Sequence, residues 1–452
     1  MLIEKLYQVP SFLWSKFPKG STAPFCPSEV RQTIPVPLIA PFLTRFRRYA
    51  GIGFLISVGY MDPGNWATDL EAGSRFGYAL LSVVLLSSLI AILLQTLCVR
   101  LGMASGRDLA QLCAERFSAR WNILLWAFAQ IAIIACDFAE VLGTALALKL
   151  LLGLPLSVGI VLTAFDTFIV LLLQGRGLLK IEAIVTALVA IIAISFAAEI
   201  FMSKPDWVEV ARGLLPHAAP FRTIEGWVVA IGILGATVMP HNLYLHSSLV
   251  GSRKIAPGQA AKEDAIRLLT LDTLVTLSLA LLVNAAILIV AASVFHFSGH
   301  GDVIAINDAY HLLTPLLGAT AASTLFALAL LASGQSSTLT GTIAGQVILQ
   351  GFLKLRIPCW QQRFLTRVTA VLPAWFAIAI WGESSLEKLL IVSQIVLSMQ
   401  LPFAVVPLIL FNNDQAIMGP WKMSAWLRNL CWLICIAIIA ANIFLLYRMC
   451  VA

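Results

Sequence analysis

Charged residues are scarce in this sequence. Only 12% of the residues are Asp, Glu, Lys or Arg, whereas 60% are hydrophobic and the mean hydropathy is +0.90. A water-soluble domain does not need that much apolar surface, so the composition predicts a chain that lies mostly within a lipid bilayer. The net charge of +7 comes from basic residues scattered over short loops. We therefore expect no nucleic-acid partner.

Motifs for enzyme chemistry are missing as well. None of the eight cysteines forms a CxxC pair, which argues against both disulfides and a closed zinc cage. The sequence has no nucleotide-binding loop, no H-E-x-x-H motif and no nucleophile motif. It also lacks the continuous rings of charge that line many channels. We expect a protein that is not an enzyme and holds no cofactor, and a channel is a weaker alternative.

Long apolar runs are abundant and predict an all-α integral membrane protein. If the N-terminus lies in the cytoplasm, 23 of the 30 Lys and Arg residues fall on the inner side, as the positive-inside rule requires. Residues 1–48 precede the first run and predict a mostly irregular cytoplasmic tail without a signal peptide. The eleven predicted spans are 49–75, 78–102, 121–149, 155–174, 181–203, 225–250, 268–296, 317–345, 364–382, 386–411 and 426–448.

Two of these spans contain helix breakers at matching positions. Met61-Asp62-Pro63-Gly64-Asn65 interrupts the first span, and Val238-Met239-Pro240-His241-Asn242 interrupts the sixth. A proline inside a helix removes a hydrogen bond, and each polar group freed in hydrocarbon costs several kcal/mol unless something binds it. Paired interruptions of this kind are typical of transporters built from two inverted repeats.

The two breaks divide the chain into predicted units. We expect a transporter core over 49–411, with five helices in each repeat (about 49–203 and 225–411) and with helices 1 and 6 broken. Residues 412–452 then form an eleventh helix and the C-terminus. Pro63, Gly64 and Pro240 would open the two helices, and the substrate would bind between them.

The side chains at the breaks indicate a metal as that substrate. The carboxylate of Asp62, the amide of Asn65 and the freed carbonyl of Ala236 are hard oxygen donors. The thioether of Met239 favours softer ions such as Mn²⁺ and Fe²⁺ over Mg²⁺ and Ca²⁺. The alternatives are that Asp62 only caps the second half-helix and that Met239 only fills space in the core.

Several residues near the breaks can carry protons. Metal binding requires Asp62 without its proton, and His241 can change its charge near neutral pH. Asp137 and Glu140 are three residues apart and therefore share one helical face of the third span. This pattern predicts a water-lined proton path. The alternatives are that His241 only shapes the broken helix and that the two acids belong to an ion-pair network.

Other polar residues carry weaker predictions. The run from Gly334 to Gln346 is rich in Gly, Ser and Thr, and we interpret it as an inner gate or a moving seam between helices. Asp166 and Asp272 are predicted to make packing or gating contacts. Outer-loop residues are expected to be solvated rather than to collect metal, and they are His296, His300, His311, Arg212, His217, Arg222 and Glu225.

Three motifs together give the sequence a family resemblance. They are Asp62-Pro63-Gly64-Asn65, the run from Met239 to Ser247, and the run from Gly334 to Thr342. The chain resembles the Nramp (natural resistance-associated macrophage protein) divalent-metal transporters over nearly all of its length after about residue 45. By its length and its eleven spans it is similar to their bacterial manganese-transport branch.

The resemblance implies a LeuT-like fold and proton-coupled uptake of Mn²⁺ and Fe²⁺ across the bacterial inner membrane. It implies that Asp62, Asn65, Met239 and the Ala236 carbonyl bind the metal, with Gln394 joining in some states. In the family, the positions of Asp137 and Glu140 are tied to proton release, and their basic partners match Arg253 and Arg363. We expect a monomer.

Some positions depart from the pattern of close bacterial relatives. Gln130 stands where many have Glu, Cys136 stands where they have Thr, and Gln362 replaces the first of two adjacent arginines. These changes put the tightness of proton coupling in doubt and leave room for an uncoupled leak.

A LeuT-like carrier of a small organic amine or amino acid is the alternative function. Asp62 would repel an anionic substrate but not an amine.

Overall fold

The computed structural model describes residues 30–36, 40–165, 178–301, 303, 305–317, 321–354 and 359–451. Most of these residues are helical, and the helices in chain order are α1 (Phe42–Tyr49), α2 (Ile52–Gly59), α3 (Pro63–Phe76), α4 (Leu81–Ser105), α5 (Leu109–Arg116), α6 (Ala119–Leu152), α7 (Leu156–Thr163), α8 (Leu178–Ser203), α9 (Trp207–Gly213), α10 (Ile224–Thr237), α11 (Pro240–Leu249), α12 (Gln259–Ala291), α13 (Ile306–Leu317), α14 (Ala322–Leu353), α15 (Cys359–Trp381), α16 (Leu386–Asn412), α17 (Gln415–Met418) and α18 (Ala425–Val451). Two short strands, β1 (Ile34–Pro35) and β2 (Arg253–Lys254), complete the fold.

Both predicted helix breaks are confirmed. The helix α2 ends at Gly59 and α3 begins at Pro63, while α10 ends at Thr237 and α11 begins at Pro240. Each proline is the first residue of the second half-helix, where its missing N–H is not needed. The two broken spans are therefore pairs of half-helices that meet in the interior of the protein.

Each of the eleven predicted runs overlaps a helix within the described residues, and their number as membrane spans stays a prediction. Within the described residues, eight helical segments are long and apolar enough to cross a membrane. The fourth run continues into residues 166–177, which lie outside the described part of the chain. The predicted start of the seventh span, 268, is later than the start of α12 at Gln259. Hydropathy marks only the apolar part of a helix, so it misses polar turns that extend the same helix beyond the bilayer.

The packing of the long helices brings the two breaks together. α6 packs between α14 and α16, α12 packs against α2, α3 and α4, and α10 packs against α16 and α3. Large apolar side chains cover the outside, and Ile194 (68% exposed), Leu282 (65%) and Leu433 (65%) are examples. Such a surface suits lipid rather than water.

The described part of the N-terminal tail is more ordered than the sequence predicts. Strand β1 pairs in parallel with β2, with Ile34 opposite Arg253, and the N–H of Gln32 donates to the carbonyl of Gly251 at 2.9 Å. Helix α1 follows before the first span. A strand of two residues whose partner is distant in sequence leaves no recognisable local pattern, which explains why it was not predicted.

The polar run from Gly334 to Gln346 lies entirely within helix α14. Its hydroxyl groups donate to carbonyls of the preceding turn, as Ser336 does to Ala332 (2.6 Å) and Thr338 does to Gly334 (2.8 Å). Such bonds satisfy a hydroxyl without any partner from another helix. This explains how a polar segment is accommodated in a buried helix; its role as a gate stays a prediction.

Candidate metal-binding site

Asp62 is fully buried and lies at the start of α3. Its Oδ1 atom accepts the backbone N–H of Asn65 at 2.8 Å and the side-chain Nδ2–H of the same residue at 2.7 Å. Asp62 therefore does cap the half-helix. The other carboxylate oxygen, Oδ2, is buried and has no hydrogen-bond partner within the described residues. Capping accounts for one oxygen and leaves the second for another ligand.

Asn65 joins the two breaks. Its Nδ2 atom donates both to Asp62 and, at 3.0 Å, to the carbonyl of Ala236 at the end of α10. One N–H donor group thus lies where two oxygen acceptors converge, which is a place that also suits a cation. Rotation of the amide by half a turn would bring its oxygen to the same point. Three predicted ligands therefore meet around one position.

Gln394 reaches this position from α16. Its side chain lies against Gly64, and a Cβ atom at Gly64 would overlap it. A larger residue at position 64 would therefore displace the end of the Gln394 side chain. The Nε2 atom of Gln394 donates to Ser393 at 2.9 Å, whereas the Oε1 atom is buried without a partner in the described residues. A fourth oxygen donor is thereby available beside the first break.

Met239 is the residue just before α11 and is completely buried. It packs with Ala132, Cys136 and Leu397, and its sulfur accepts a hydrogen bond from Asn242 at 3.8 Å. The side chain therefore has a packing role in a cluster that includes Cys136, and Cys136 interacts electrostatically with Asp62. The structure is compatible with both interpretations of this residue.

Three residues that the sequence analysis missed, Ser333, Trp66 and Asn284, donate hydrogen bonds to the carbonyls freed at the first break. The carbonyl of Met61 accepts the hydroxyl of Ser333 at 2.5 Å and the indole N–H of Trp66 at 3.2 Å. The carbonyl of Tyr60 accepts Nδ2 of Asn284 at 2.8 Å. Ser333 and Asn284 are buried polar residues in otherwise apolar spans, and that isolation is the signal that marks them.

The buried titratable groups form a connected series beside the breaks. Nε2 of His241 lies 3.6 Å from Sγ of Cys136, and that thiol donates to Oε1 of Glu140 at 3.4 Å. Nδ1 of His241 has no partner within the described residues. Cys136 therefore connects the histidine to the acids of α6.

Asp137 and Glu140 both approach Gly341 of α14, where a Cβ atom would lie 2.9 Å from the first carboxylate and 3.1 Å from the second. The guanidinium of Arg367 interacts electrostatically with both acids. It also donates to the carbonyl of Thr163 at 3.0 Å and 3.1 Å. The sequence analysis overlooked Arg367, a lone arginine one helical turn after Arg363; the side chain of Arg363 lies outside the described residues.

Arg253 does not pair with Asp137 and Glu140, contrary to the expected partnership. Its buried guanidinium lies 2.9 Å from a carboxylate oxygen of Glu182 and donates to the carbonyl of Tyr49 at 3.2 Å. Asp272 is nearby and accepts the backbone N–H of Gly53 at 2.7 Å. Sequence positions alone do not show how far Arg253 lies from Asp137 and Glu140 in the fold. Asp166 lies outside the described residues.

The outer histidines show local contacts. Nδ1 of His296 lies 2.9 Å from the carbonyl of Ser74, His300 contacts Ser298, and the ring of His311 packs on Tyr310. In the described part of the chain, no three His, Cys, Asp or Glu side chains are grouped closely enough to hold a metal ion. A metal at the breaks would therefore bind to one carboxylate together with amide, carbonyl and thioether donors.

Comparisons with known proteins agree with this geometry. The family model described as "Natural resistance-associated macrophage protein-like" (Nramp) matches residues 53–448. The Divalent metal cation transporter MntH 1 of Pseudomonas aeruginosa is 55% identical over 430 residues, which cover 95% of this chain and 98% of that protein. MntH of a Nostoc species is 52% identical over 420 residues, covering 93% and 95%.

Comparison with solved structures indicates the same family. The crystal structure of the Eremococcus coleocola manganese transporter has a TM-score of 0.86 and 38% identity, and the match covers 93% of this chain and 90% of that one. The transporter Mhp1 in a closed conformation has a TM-score of 0.60 at 13% identity, with 91% and 84% covered, and shows the fold alone. The fold is LeuT-like, as predicted, and the relatives are named as transporters rather than enzymes. The chain belongs to the Nramp family.

Proposed function

We propose that this protein is a proton-coupled secondary transporter that imports divalent transition metals, Mn²⁺ and also Fe²⁺, by alternating access. It would lie in the inner membrane of a bacterium as a monomer, with its N-terminus in the cytoplasm. The names of its relatives, divalent metal cation transporters and a manganese transporter, support this class of substrate.

One observation carries the proposal, namely the convergence of oxygen donors from two broken helices. Asp62 and Asn65 come from the first break and the Ala236 carbonyl comes from the second, and a single amide nitrogen bridges them. The unpartnered oxygens of Asp62 and Gln394 add two buried acceptors. Buried oxygens without donors are costly, and a cation satisfies several of them at once.

The donors also favour a labile site. Half-helices can move relative to each other, so ligands that come from both breaks and from α16 need not stay together when the transporter changes conformation. With one carboxylate, the ion is held less strongly than in a cage of several charged ligands. Met239 would supply the soft donor that disfavours Ca²⁺ and Mg²⁺.

The series of titratable groups supports proton coupling. Glu140 interacts electrostatically with Asp62, and His241, Cys136 and Glu140 are connected by contacts of 3.6 Å and 3.4 Å. A metal that binds to Asp62 requires the ionised carboxylate, so its arrival displaces a proton. His241, Asp137 and Glu140 would carry that proton, with Arg367 stabilising the ionised acids and Arg363 assigned to the same path by family resemblance.

A carrier of a small organic amine is the second candidate. The unpartnered Oδ2 of Asp62 favours it, because an ammonium group would also satisfy that oxygen. The thioether of Met239 gives an ammonium group no comparable benefit. This candidate predicts amine flux without Mn²⁺ flux.

Uptake by proteoliposomes tests the proposal. Purified protein is assayed for uptake of Mn²⁺, Fe²⁺, Mg²⁺, Ca²⁺ and a mixture of amines and amino acids, while a dye in the lumen reports internal pH. We expect uptake of Mn²⁺ and Fe²⁺ with internal acidification, and at most weak uptake of Mg²⁺ and Ca²⁺. Absent Mn²⁺ flux, or Mg²⁺ flux equal to it, contradicts the proposal.

The variant Asp62→Ala tests whether the metal binds at the first helix break. We expect this variant to lose metal uptake, because the only carboxylate among the proposed ligands is removed. Asp264→Ala is the control, since it removes a carboxylate from a partly exposed ion pair with Arg45 (2.6 Å) and should transport normally. Uptake of ordinary affinity in Asp62→Ala would move the metal site elsewhere.

A further inference from the structure

Asp69 is a second buried acid on the helix that carries the first ligands. It lies on α3 four residues after Asn65, so the two side chains share one face of the helix and are separated by about 6 Å along its axis. Asp69 is only 1% exposed. None of the metal ligands predicted from the sequence or from the family resemblance is Asp69.

Among the described residues, no cationic side chain forms an ion pair with Asp69. Its Oδ2 atom is buried and accepts no hydrogen bond from any described residue. The charged group that interacts with it electrostatically is Asp62, which is another acid. Two buried carboxylates that repel each other are unfavourable, and removing each from water adds a desolvation cost. A positive charge close to both relieves the two effects together.

The direction of α3 puts Asp69 on the path that a metal ion would take from the outside to the predicted site. With the N-terminus in the cytoplasm, the chain runs from the inner side through α2 to the break and then through α3 towards the outer side. Asp69 therefore lies on the outer side of Asn65. In a conformation open to the outside, a divalent cation that moves along this face would come within reach of Asp69 before it reaches Asp62. An acid in that place raises the local concentration of cations next to the transport site.

We propose that Asp69 forms an outer binding station for the divalent metal ion, one helical turn beyond Asn65 and two turns beyond Asp62 along α3. This inference rests on the proposed function and deepens it. The station captures the ion through charge, and the inner ligands then bind it with Met239. Asp69 therefore affects the half-saturating metal concentration rather than the maximal uptake rate.

Initial rates of Mn²⁺ uptake in proteoliposomes test this role. We expect Asp69→Asn, which keeps size and shape, to raise the half-saturating Mn²⁺ concentration about tenfold with little change in the maximal rate. Asp69→Glu keeps the charge and should stay within about threefold of the original value. Asp69→Thr is a second neutral variant and should behave like Asp69→Asn.

Glu199→Gln is the matched control. Glu199 is equally buried, and neither carboxylate oxygen has a partner among the described residues, but it lies on α8 rather than on the face of Asn65. Its substitution also replaces a buried acid by its amide. We expect the half-saturating Mn²⁺ concentration of this variant to remain within about twofold of the original.

Equilibrium binding of Mn²⁺ in detergent gives an independent result. Asp62→Ala should retain weak Mn²⁺ binding at the outer station, and the double variant with Asp69→Asn should lose it. An unchanged half-saturation in Asp69→Asn, a loss of maximal rate alone, an equal effect in Glu199→Gln, or equal binding by the single and double variants would overturn the proposal. Absent Mn²⁺ uptake by the unmodified protein would instead contradict the proposed function.

Discussion

Replacing Glu182 with Gln should destabilise the protein by about 3 kcal/mol, because it leaves the guanidinium of Arg253 buried without its counter-charge. The ion pair has an N···O distance of 2.9 Å, and its side chains are 0% and 5% exposed. Gln keeps an acceptor for Arg253, so the substitution removes the charge with little change in shape.

The magnitude follows from what remains around Arg253. Loss of one partner of a buried ion pair typically costs about 3–5 kcal/mol. Arg253 still donates to the carbonyls of Tyr49 and Ala50, at 3.2 Å and 3.4 Å, and to Ser252 at 3.1 Å. Asp272 also remains within electrostatic reach. These groups compensate part of the charge, so the low end of the range applies.

Thermal unfolding of the purified protein in detergent measures the effect. Glu383→Gln is the matched control, because Glu383 forms an ion pair with Lys149 at 2.5 Å whose side chains are 32% and 46% exposed. Exposed pairs contribute about 0–1 kcal/mol. We expect Glu182→Gln to melt clearly below the unmodified protein and Glu383→Gln to melt close to it.

The same pair has a consequence for transport. It connects the start of α8 to the chain just before α2, where Arg253 also contacts the backbone at Tyr49 and Ala50. Loosening it should therefore change the Mn²⁺ uptake rate of Glu182→Gln, and Glu383→Gln should transport normally. Equal melting temperatures of the two variants would refute the argument that burial makes this ion pair important.

Two further predictions concern the breaks. Met239→Ala should gain Ca²⁺ or Mg²⁺ transport and keep part of its Mn²⁺ transport, because only the soft donor is lost. Uptake of each ion, alone and in competition, measures this selectivity. Unchanged selectivity would leave Met239 with a packing role. Ser333→Ala should lower stability by about 1–2 kcal/mol, because the Met61 carbonyl loses one of its two donors. Ser336→Ala is the control, since that hydroxyl bonds only within its own helix, and equal melting temperatures of the two serine variants would contradict the prediction.

The two helix breaks were predictable because their signals are local. Pro63 and Pro240 stop a helix wherever they occur in one, and an apolar run identifies a membrane span without knowledge of its neighbours. The matching positions of the two breaks then indicated that they lie together. The contact from Asn65 to the Ala236 carbonyl is in line with that expectation.

The supporting residues were not predictable in the same way. Ser333, Asn284 and Arg367 act on groups that are distant in sequence, and each is a single polar residue in an apolar span. Sequence shows that such a residue needs a partner but not which helix supplies it. For the same reason Arg253 was assigned to the acids of α6, whereas it pairs with Glu182 of α8.

By itself the sequence predicted a multi-pass membrane protein and determined where two of its helices break. Those properties depend on hydropathy and on the backbone chemistry of proline. Only the tertiary structure decided which buried groups are satisfied and which are not. Only the packing showed that one carboxylate oxygen of Asp62 and one of Asp69 have no hydrogen-bond partner among the described residues, because hydrogen bonding across helices depends on how the helices pack.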